Sequence, residues 1–271
     1  MAFLLWGFVH KNDDVHVVTS HYKENLEWLK GIRWPIVLID KQGADSTCFT
    51  PETVIPNQGR EASSYLKYII DHYDSLPKWV AFIHGHETAW HQMRPYHMID
   101  MINHVELNED MFESFNGHFT IVPSSSEQHE VIQLQKHWDL VQHVLGDLEP
   151  NNDGMTDAGA QFIVSRDRIL RHTKETYQGW YDALMSESAA QPSDIICRDR
   201  CTVDYELGAF FEYTWHAIFG EPWNMKPRAF PIHKKYRIRE YIPDPSTVKV
   251  QPMIVRARDD LVDKLKNLSL E

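Results

Sequence analysis

The stretch WVAFIHGHETAWH, residues 79–91, decides the fold of this chain. Its first five residues are all apolar, which is typical of a strand covered on both faces. That strand runs directly into His84-Gly85-His86, and His91 follows five positions later. Histidines two residues apart in extended chain point to the same face, so both rings can reach one ligand. Taken alone, the stretch leaves three possibilities open: a metal site, a phosphate-binding turn, or a strand that ends in histidines.

Apolar strands alternate with helices over the first ninety residues. VHVVTS (15–20) and PIVLID (35–40) predict two further buried strands, with a helix at 24–30 between them. Residues 44–56 are predicted to be loop, and a strongly periodic helix opens at residue 57. Strands that alternate with helices form βαβ units. The sequence therefore predicts an α/β protein with a mainly parallel central sheet flanked by helices.

The remaining chain is less regular. Its patterns predict, in order, a short helix at 98–105, a strand at 119–122, a helix at 127–146, an exposed loop at 149–159, a strand turning into a helix at 160–172, and an aromatic-rich helix at 204–219. No repeat or linker interrupts the sequence, and 271 residues are enough to bury one large core. We therefore expect a single domain over residues 1–271.

The composition excludes several classes of protein. With 27 Lys and Arg against 39 Asp and Glu, the net charge is −12, and an acidic surface repels nucleic acid backbones. Three cysteines are too few for a disulfide framework and fit a reducing compartment. The apolar run near residue 1 is too short to span a bilayer and lacks the features of a signal peptide. We expect a cytoplasmic or cytoplasm-facing protein with no transmembrane span and no nucleic acid partner.

Polar clusters follow each of the three predicted strands. In an open parallel sheet, ligands bind outside the carboxyl ends of the strands, where such clusters meet. The candidate binding residues after the first two strands are Thr19, Ser20, Tyr22, Lys23 and Asp40. Each cluster alone is also consistent with a helix cap, a turn or satisfied histidines.

The helix that follows residue 57 opens with Asn57-x-Gly59-Arg60-Glu61. Exposed amides at a helix start favour an anion, a glycine allows close approach, and an arginine can fork onto a phosphate. We count Asn57, Gly59, Arg60 and Glu61 as candidate ligand-binding residues. Ordinary helix capping, with Arg60 paired to a surface carboxylate, explains the same pattern.

The histidines allow two kinds of ligand. His84 and His86 can chelate Zn²⁺ or Mn²⁺ through imidazole nitrogens, with His91 as a weaker third candidate. They can also donate hydrogen bonds to a diphosphate. The chain has 16 histidines, so close pairs are also expected by chance.

Glu212 lies among aromatic residues of the last predicted helix. A carboxylate in apolar surroundings has a raised pKa, which suits a general base near neutral pH. The alternative is an exposed carboxylate on the polar face of that helix.

Five stretches together resemble a widespread family of uncharacterised domains. They run from Val17 to Pro222 and read VVTSHYKENLEWL, NQGREASSYLKYIIDHYDSLP, VAFIHGHETAWH, AQFIVSRDRI and EYTWHAIFGEP. Their pattern is similar to GT-A nucleotide-sugar glycosyltransferases, whose third strand ends in Asp-x-Asp and binds a divalent metal with the donor diphosphate. His84-Gly85-His86 stands at that position here. The Asn57 stretch also resembles the Asn-x-Gly-Arg-Asp stretch of rhamnan-type glycosyltransferases.

The resemblance implies a GT-A-like fold within the single domain. Its nucleotide-binding half would span about 15–95, its acceptor half about 96–230, and a C-terminal tail 231–271. It implies a nucleotide-sugar donor, a glycan or other hydroxyl acceptor, and an acidic residue that takes the acceptor's proton. Glu212 is the candidate for that base, with Asp157 in reserve. The candidate binding residues that resemble the acceptor-side strand of several glycosyltransferases are Gln161, Ser165 and Arg166.

This chain departs from that pattern at the metal site, where two histidines replace two carboxylates. Because Mg²⁺ prefers oxygen ligands, the resemblance predicts a softer cation, Mn²⁺ before Zn²⁺. Otherwise the histidines contact the diphosphate without a metal.

The sequence thus predicts a glycosyltransferase, with two alternatives. One is a metal-dependent hydrolase in which Zn²⁺ activates water and is held by histidines, namely His84, His86 and His91 with His118 or His233. The other is a non-catalytic protein of the same fold that binds sugars or proteins.

Overall fold

The central sheet is built outward from the first strand. The computed structural model describes residues 14–41, 48–89, 91–92, 96–117, 120–122, 154–156, 159–186 and 203–225. Its strands are β1 (Val15–His21), β2 (Ile36–Asp40), β3 (Thr53–Val54), β4 (Trp79–His84), β5 (Phe112–Ser114), β6 (Thr120–Val122), β7 (Gly154–Thr156) and β8 (Phe162–Ser165). Six of them form one sheet in the order β3-β2-β1-β4-β8-β5, and β6 pairs antiparallel with β7 in a second sheet.

The large sheet is mixed, so the prediction of a mainly parallel sheet is wrong. β1 pairs parallel with β2 and β4, and β2 pairs parallel with β3. β8, however, runs antiparallel to both β4 and β5. Apolar runs predict that a strand is covered on both faces, but its direction depends on the path of the chain before it. In the four-stranded parallel part, β1, β2 and β4 are the strands that the alternating pattern predicted.

The helices are α1 (Arg60–His72), α2 (Met98–His104), α3 (Arg166–Ile169), α4 (Lys174–Met185) and α5 (Val203–Ile218). The helix predicted at 24–30 is a 3₁₀ turn, Glu27–Gly31, and a second 3₁₀ turn, Tyr73–Ser75, follows α1. The predicted loops at 44–56 and 149–159 contain the short strands β3 and β7. The helix predicted at 127–146 lies outside the described residues.

Two apolar layers cover the sheet. Alternate residues of each strand point to opposite faces, so Val18 and Phe82 join one layer while Val17 and Ile83 join the other. The first layer is completed by α1, α4 and α5, and the second by α2 and the 3₁₀ turn after β1. Helices therefore lie on both faces, as continuous apolar strands require.

Helix α1 follows from its apolar spacing. Its buried positions, three and four residues apart, include Ala62, Tyr65, Leu66, Ile69 and Ile70. The stripe packs on the sheet and fixes the first turn of α1 beside the ends of β1 and β2.

The chain divides into a compact unit of residues 1–240, which contains every described residue, and a unit of residues 241–271. None of the described helices has the length and apolar character needed to cross a bilayer. Cys48 is a free, exposed thiol.

Candidate functional site

The carboxyl ends of β1, β2 and β4 lie side by side. Ser20 stands opposite His84 in the strand register, and His21 stands opposite Asp40. Lys41, directly after β2, hydrogen bonds the residues that open α1. We call this edge, bordered by the ends of these three strands and the start of α1, the carboxyl edge. It is the position where open α/β sheets bind ligands.

The side chains that end β1 and β2 belong to the protein's own hydrogen-bond network. Ser20 Oγ lies 2.8 Å from Ser64 Oγ, and His21 Nδ1 lies 3.0 Å from Asp40 Oδ1. Thr19 is fully buried, and its hydroxyl has no hydrogen-bond partner within the described part of the chain. Among the residues predicted to bind a ligand here, Ser20 and Asp40 therefore already hold protein groups.

Tyr22 and Lys23 continue beyond β1 and are exposed. The Tyr22 side chain has Lys23 Nζ 4.8 Å above the centre of its ring. The backbone N–H of Tyr22 donates to Glu24 Oε2 at 2.6 Å, which fixes the turn. Lys23 has a φ of 138°, a conformation that L side chains rarely adopt. Both predicted binding residues are accessible to a ligand at the carboxyl edge.

Helix α1 begins with two residues in the left-handed region. Gly59 has a φ of 70° and Arg60 a φ of 50°, which is unfavourable for a side chain with a Cβ. Lys41 Nζ holds this segment, since it donates to Gln58 O at 2.6 Å, to Ser63 Oγ at 2.7 Å and to Arg60 O. The strained backbone therefore sets the direction in which the Arg60 side chain leaves the helix.

The Arg60 guanidinium pairs with the candidate base. Arg60 Nη1 lies 2.7 Å from Glu212 Oε2 of α5, and the Glu212 side chain is only 15% exposed. Gly208 of α5 makes room for this arrangement, because a Cβ there would lie 2.7 Å from Arg60 Cγ. A phosphate at this position would have to share Arg60 with Glu212. Asn57, also predicted to bind there, is exposed.

The environment sets different charges on the two carboxylates near Arg60. Burial raises the pKa of Glu212 to about 7, with Arg60 opposing that rise and Glu61 adding to it. Burial also works against ionised Glu61, but His84, which is protonated at the low pH where Glu61 titrates, and Arg60 lower the Glu61 pKa to about 2. Glu61 is thus ionised at neutral pH, whereas Glu212 titrates near it.

His84 faces Glu61 across a gap. Nε2 of His84 lies 3.8 Å from Oε1 of Glu61 and has no hydrogen-bond partner within the described residues. Burial lowers the pKa of His84 to about 3, since desolvation outweighs the attraction of Glu61. His84 is therefore a neutral imidazole at physiological pH, which is the form that binds metals.

His91 belongs to a buried amide network that the sequence did not reveal. His91 Nδ1 donates to Asn116 Oδ1 at 2.7 Å, and Asn116 Nδ2 donates to the Gln161 carbonyl at 3.1 Å. The Gln161 side chain in turn accepts from the His84 backbone N–H at 3.4 Å. Gly159 is required beside them, because a Cβ there would lie 2.4 Å from His91 Nδ1. No local pattern marks Asn116, since its partners are distant in sequence.

His86 lies apart from the other two histidines. Its side chain is 60% exposed, and Nε2 is 3.8 Å from Glu24 Oε1. The His84 and His86 rings are 6.5 Å apart, and the His84 and His91 rings 5.4 Å. Over the described residues, no three His, Cys, Asp or Glu side chains form a group that could hold a metal.

Two predicted binding residues lie elsewhere. Because β8 is antiparallel to β4, Ser165 pairs with Trp79 at the start of β4, away from the carboxyl edge. Arg166 follows it and is exposed, with its backbone N–H donating to Lys78 O. Gln161, at the other end of β8, does reach the carboxyl edge. Asp157 lies outside the described residues.

Comparison with known proteins places the chain in a family. The family model described as "Protein of unknown function (DUF3431)" matches residues 16–233. The chain belongs to this family. The resemblance to a family of uncharacterised domains is thereby confirmed, and the similarity to glycosyltransferases stays a prediction. Neither the curated proteins nor the solved structures gave a match to the chain.

The carboxyl edge of this DUF3431 protein combines four kinds of group. It has a fixed cation in Arg60, an ionised carboxylate in Glu61, a neutral imidazole in His84, and in Glu212 a carboxyl group that titrates near pH 7. Such a set can bind a charged ligand and accept a proton from it.

Proposed function

We propose that this protein is a glycosyltransferase that moves a sugar from a nucleotide-sugar donor to an acceptor hydroxyl. The observation that carries the proposal is Glu212, a carboxyl group of raised pKa held by Arg60 at the carboxyl edge. A general base works best when its pKa is near the operating pH. Near-neutral carboxyl groups at ligand edges of α/β sheets are candidates for that role.

The donor would lie along the ends of the parallel strands. The exposed side chains Tyr22 and Lys23 would meet its nucleoside end, with Thr19, Ser20 and Asp40 beneath it. Its diphosphate would reach the region of Arg60, His84 and His86, and the sugar would point toward Glu212.

A divalent metal would find two protein ligands at this edge, His84 Nε2 and Glu61 Oε1. The unpartnered, buried Nε2 beside a carboxylate fits a cation such as Mn²⁺. Metals that accompany nucleotides need only one or two protein ligands, because phosphates and water complete the shell. When bound, the cation would neutralise charge on the diphosphate. In this proposal Glu61 thus takes the place of His86 as the second ligand, and His91 is not a ligand.

Glu212 would take the proton of the acceptor hydroxyl. The acceptor oxygen forms a bond to the anomeric carbon of the sugar, and the bond between that carbon and the diphosphate oxygen breaks. The electron pair of the broken bond leaves with the diphosphate, next to Arg60. The proton on Glu212 passes to solvent after the product departs.

Calorimetry against a panel of uridine, guanosine, thymidine and cytidine sugar nucleotides, each with and without Mn²⁺, tests donor binding. We expect at least one of them to bind, and Arg60→Met to weaken that binding. Uniform absence of binding under both conditions would refute the transferase proposal.

The role of Glu212 is tested with a matched pair of variants. Glu221 is 13% exposed and paired to Arg168 at 2.6 Å, so it resembles Glu212 in burial and partner but lies outside the carboxyl edge. We expect Glu212→Gln to keep donor binding and to lower turnover about 10²–10⁴-fold, with Glu221→Gln close to wild type. In the wild type, kcat/KM should rise with pH through about 7, because only ionised Glu212 accepts a proton. Equal turnover in both variants would exclude Glu212 as the base.

A further inference from the structure

A small cavity lies directly behind Glu212. Its lining includes Phe112, Ser114, Asn116, Phe162, Glu212 and Trp215. Its space is about that of one water molecule. All of these residues are buried except Glu212, whose side chain is 15% exposed. Access from solvent therefore passes Glu212.

Trp215, which lines this cavity, has an indole donor that no described acceptor uses. Trp215 is 2% exposed, and its Nε1–H has no acceptor among the described residues. Its ring stacks on Phe219 at 5.7 Å and 8°, and it also packs against Phe162 and Phe211. These aromatic contacts fix the ring, so the N–H cannot turn toward another partner. A buried donor without an acceptor costs free energy unless a ligand supplies one.

The other polar groups of the cavity are already hydrogen bonded. Ser114 Oγ accepts from the Asn116 backbone N–H at 3.1 Å, and Asn116 uses both side-chain atoms within its network with His91 and Gln161. His216, which also lines the cavity, bonds through Nε2 to a backbone carbonyl at 3.2 Å.

Two groups keep hydrogen-bonding capacity. They are the Trp215 N–H, which only donates, and the ionised Glu212 carboxylate, which only accepts. Arg60 Nη1 lies 2.7 Å from Oε2 of Glu212, and the two oxygens of a carboxylate together can accept more than one hydrogen bond. A group that both accepts one hydrogen bond and donates one satisfies the pair, and a hydroxyl does this.

We propose that this cavity is a binding site for a hydroxyl group that enters past Glu212, with its oxygen accepting from Trp215 Nε1–H and its proton directed to Glu212. An ammonium group does not fit, because it has no lone pair to accept from the Trp215 N–H, and an anion would lie against the ionised Glu212 carboxylate that lines the same cavity. The small space favours a primary hydroxyl, because a secondary hydroxyl is flanked by two carbon substituents.

This hydroxyl site deepens the proposed transferase function, because it specifies where the acceptor binds. That the bound hydroxyl is the acceptor rests on the proposed function. Trp215 is then a positioning residue that orients the oxygen lone pairs of the acceptor hydroxyl. The oxygen bonds to the anomeric carbon, the sugar–diphosphate bond breaks with its electrons on the diphosphate, and Glu212 receives the proton.

Binding to the cavity can be measured without any donor, by nuclear magnetic resonance of the tryptophan indole N–H signals. The chain has nine tryptophans, and Trp215→Phe identifies the Trp215 signal by its loss. Trp180 is the matched control, because its Nε1–H is also buried and unpartnered within the described residues, but it does not line the cavity. Trp180→Phe identifies that signal in the same way. The probes are methanol and the bulkier tert-butanol, at pH 8.

We expect the Trp215 signal to shift saturably with methanol and not with tert-butanol, and the Trp180 signal to follow neither. Equal responses of the two tryptophans, or of Trp215 to the two alcohols, would overturn the hydroxyl site.

With a sugar nucleotide bound, methanol should accelerate donor cleavage, and Trp215→Phe should reduce that acceleration about tenfold without changing donor affinity. If the Trp215 signal shifts with methanol but no sugar nucleotide binds, the hydroxyl site is supported and the transferase function is refuted.

Discussion

At the scale of single residues, the charges at the carboxyl edge depend on the Arg60 guanidinium, which interacts with two carboxylates, Glu61 and Glu212. Arg60 contacts Glu212 directly, while Glu61 leaves the same helix start and faces His84. Two carboxylates this close to one cation do not ionise alike, so one keeps a low pKa and the other is raised. The same edge therefore holds one carboxylate that is ionised at neutral pH, Glu61, and one carboxyl group that titrates near it, Glu212.

The raised pKa of Glu212 predicts how stability changes with pH. Between about 4.5 and 7 the folded protein holds a proton on Glu212 that the unfolded chain has lost, so stability falls as pH rises. Between about 4.5 and 2 the depressed pKa of Glu61 acts oppositely, and its stabilisation is lost as pH falls. From pH 5 to 8 we expect the unfolding free energy of wild type to drop by about 1–3 kcal/mol relative to Glu212→Gln.

Urea unfolding of wild type and Glu212→Gln at pH 5 and pH 8 measures this difference. The contributions of the other titrating groups to the unfolding free energy cancel, because both proteins contain those groups. Glu221→Gln is the control and should keep the wild-type change. A Glu212→Gln protein with the same pH dependence as wild type would contradict the raised pKa.

Residue types could be predicted from sequence more readily than their partners. The sequence predicted His84 at a strand end and Arg60 at a helix start, and the aromatic neighbours of Glu212 predicted a raised pKa for that carboxyl group. That Arg60 would pair with Glu212, and that Glu61 would face His84, depends on how α1 and α5 pack together. Asn116 and Trp215 carry no sequence signal, because a satisfied amide and an orphaned indole are defined only by their neighbours in three dimensions.

At the scale of elements, two helical glycines differ in the space around them. Gly179 of α4 is exposed, and a Cβ at that position would meet nothing within 4 Å. Gly208 of α5 is buried against the Arg60 side chain, and a Cβ would lie 2.7 Å from Cγ and 2.9 Å from Cδ of Arg60. The first glycine only weakens its helix, whereas the second allows the Arg60–Glu212 pair.

Replacing each glycine with alanine should therefore have opposite effects. Gly179→Ala is expected to stabilise by roughly 0.5–1 kcal/mol, since alanine restricts the unfolded chain and suits a helix. Gly208→Ala should destabilise by about 1–3 kcal/mol, because the new methyl group displaces Arg60. Urea unfolding of both variants at pH 8 gives the comparison. Stabilisation by Gly208→Ala would mean that Arg60 can move without cost.

Long apolar elements were predictable, whereas of the short strands β6 was predicted and β3 and β5 were not. β1, β2, β4, α1 and α5 were each located within a few residues, because their periodicity extends over one or more turns or a whole strand. β3 and β5 have two and three residues, too few for any period to appear. The turn Glu27–Gly31 has helical spacing but forms only a 3₁₀ turn.

At the scale of the whole molecule, the mixed sheet brings two parts of the chain to one edge. The parallel strands β1, β2 and β4 end there, and the antiparallel β8 begins there, so Gln161 meets His84. A fully parallel sheet would instead have placed Ser165 and Arg166 at that edge. The direction of one strand thus decides which half of the AQFIVSR stretch can contribute to the candidate site.

The sheet order also predicts which backbone amides are most protected from hydrogen exchange. Val17 N–H donates to Pro35 O at 2.8 Å in β1, which lies between two strands and beneath both apolar layers. Ile55 N–H donates to Asp40 O at the same distance, but directly after β3, a two-residue strand at the sheet edge. Since both bonds are equal in length, a difference in protection must come from the cost of opening the surrounding structure.

We expect the Val17 amide to exchange only through global unfolding, with a urea dependence equal to that of equilibrium unfolding. The Ile55 amide should exchange much faster, with little dependence on urea. Exchange measured by nuclear magnetic resonance over a urea series compares the two amides directly, and equal rates would contradict the central position of β1 in the stability of the fold.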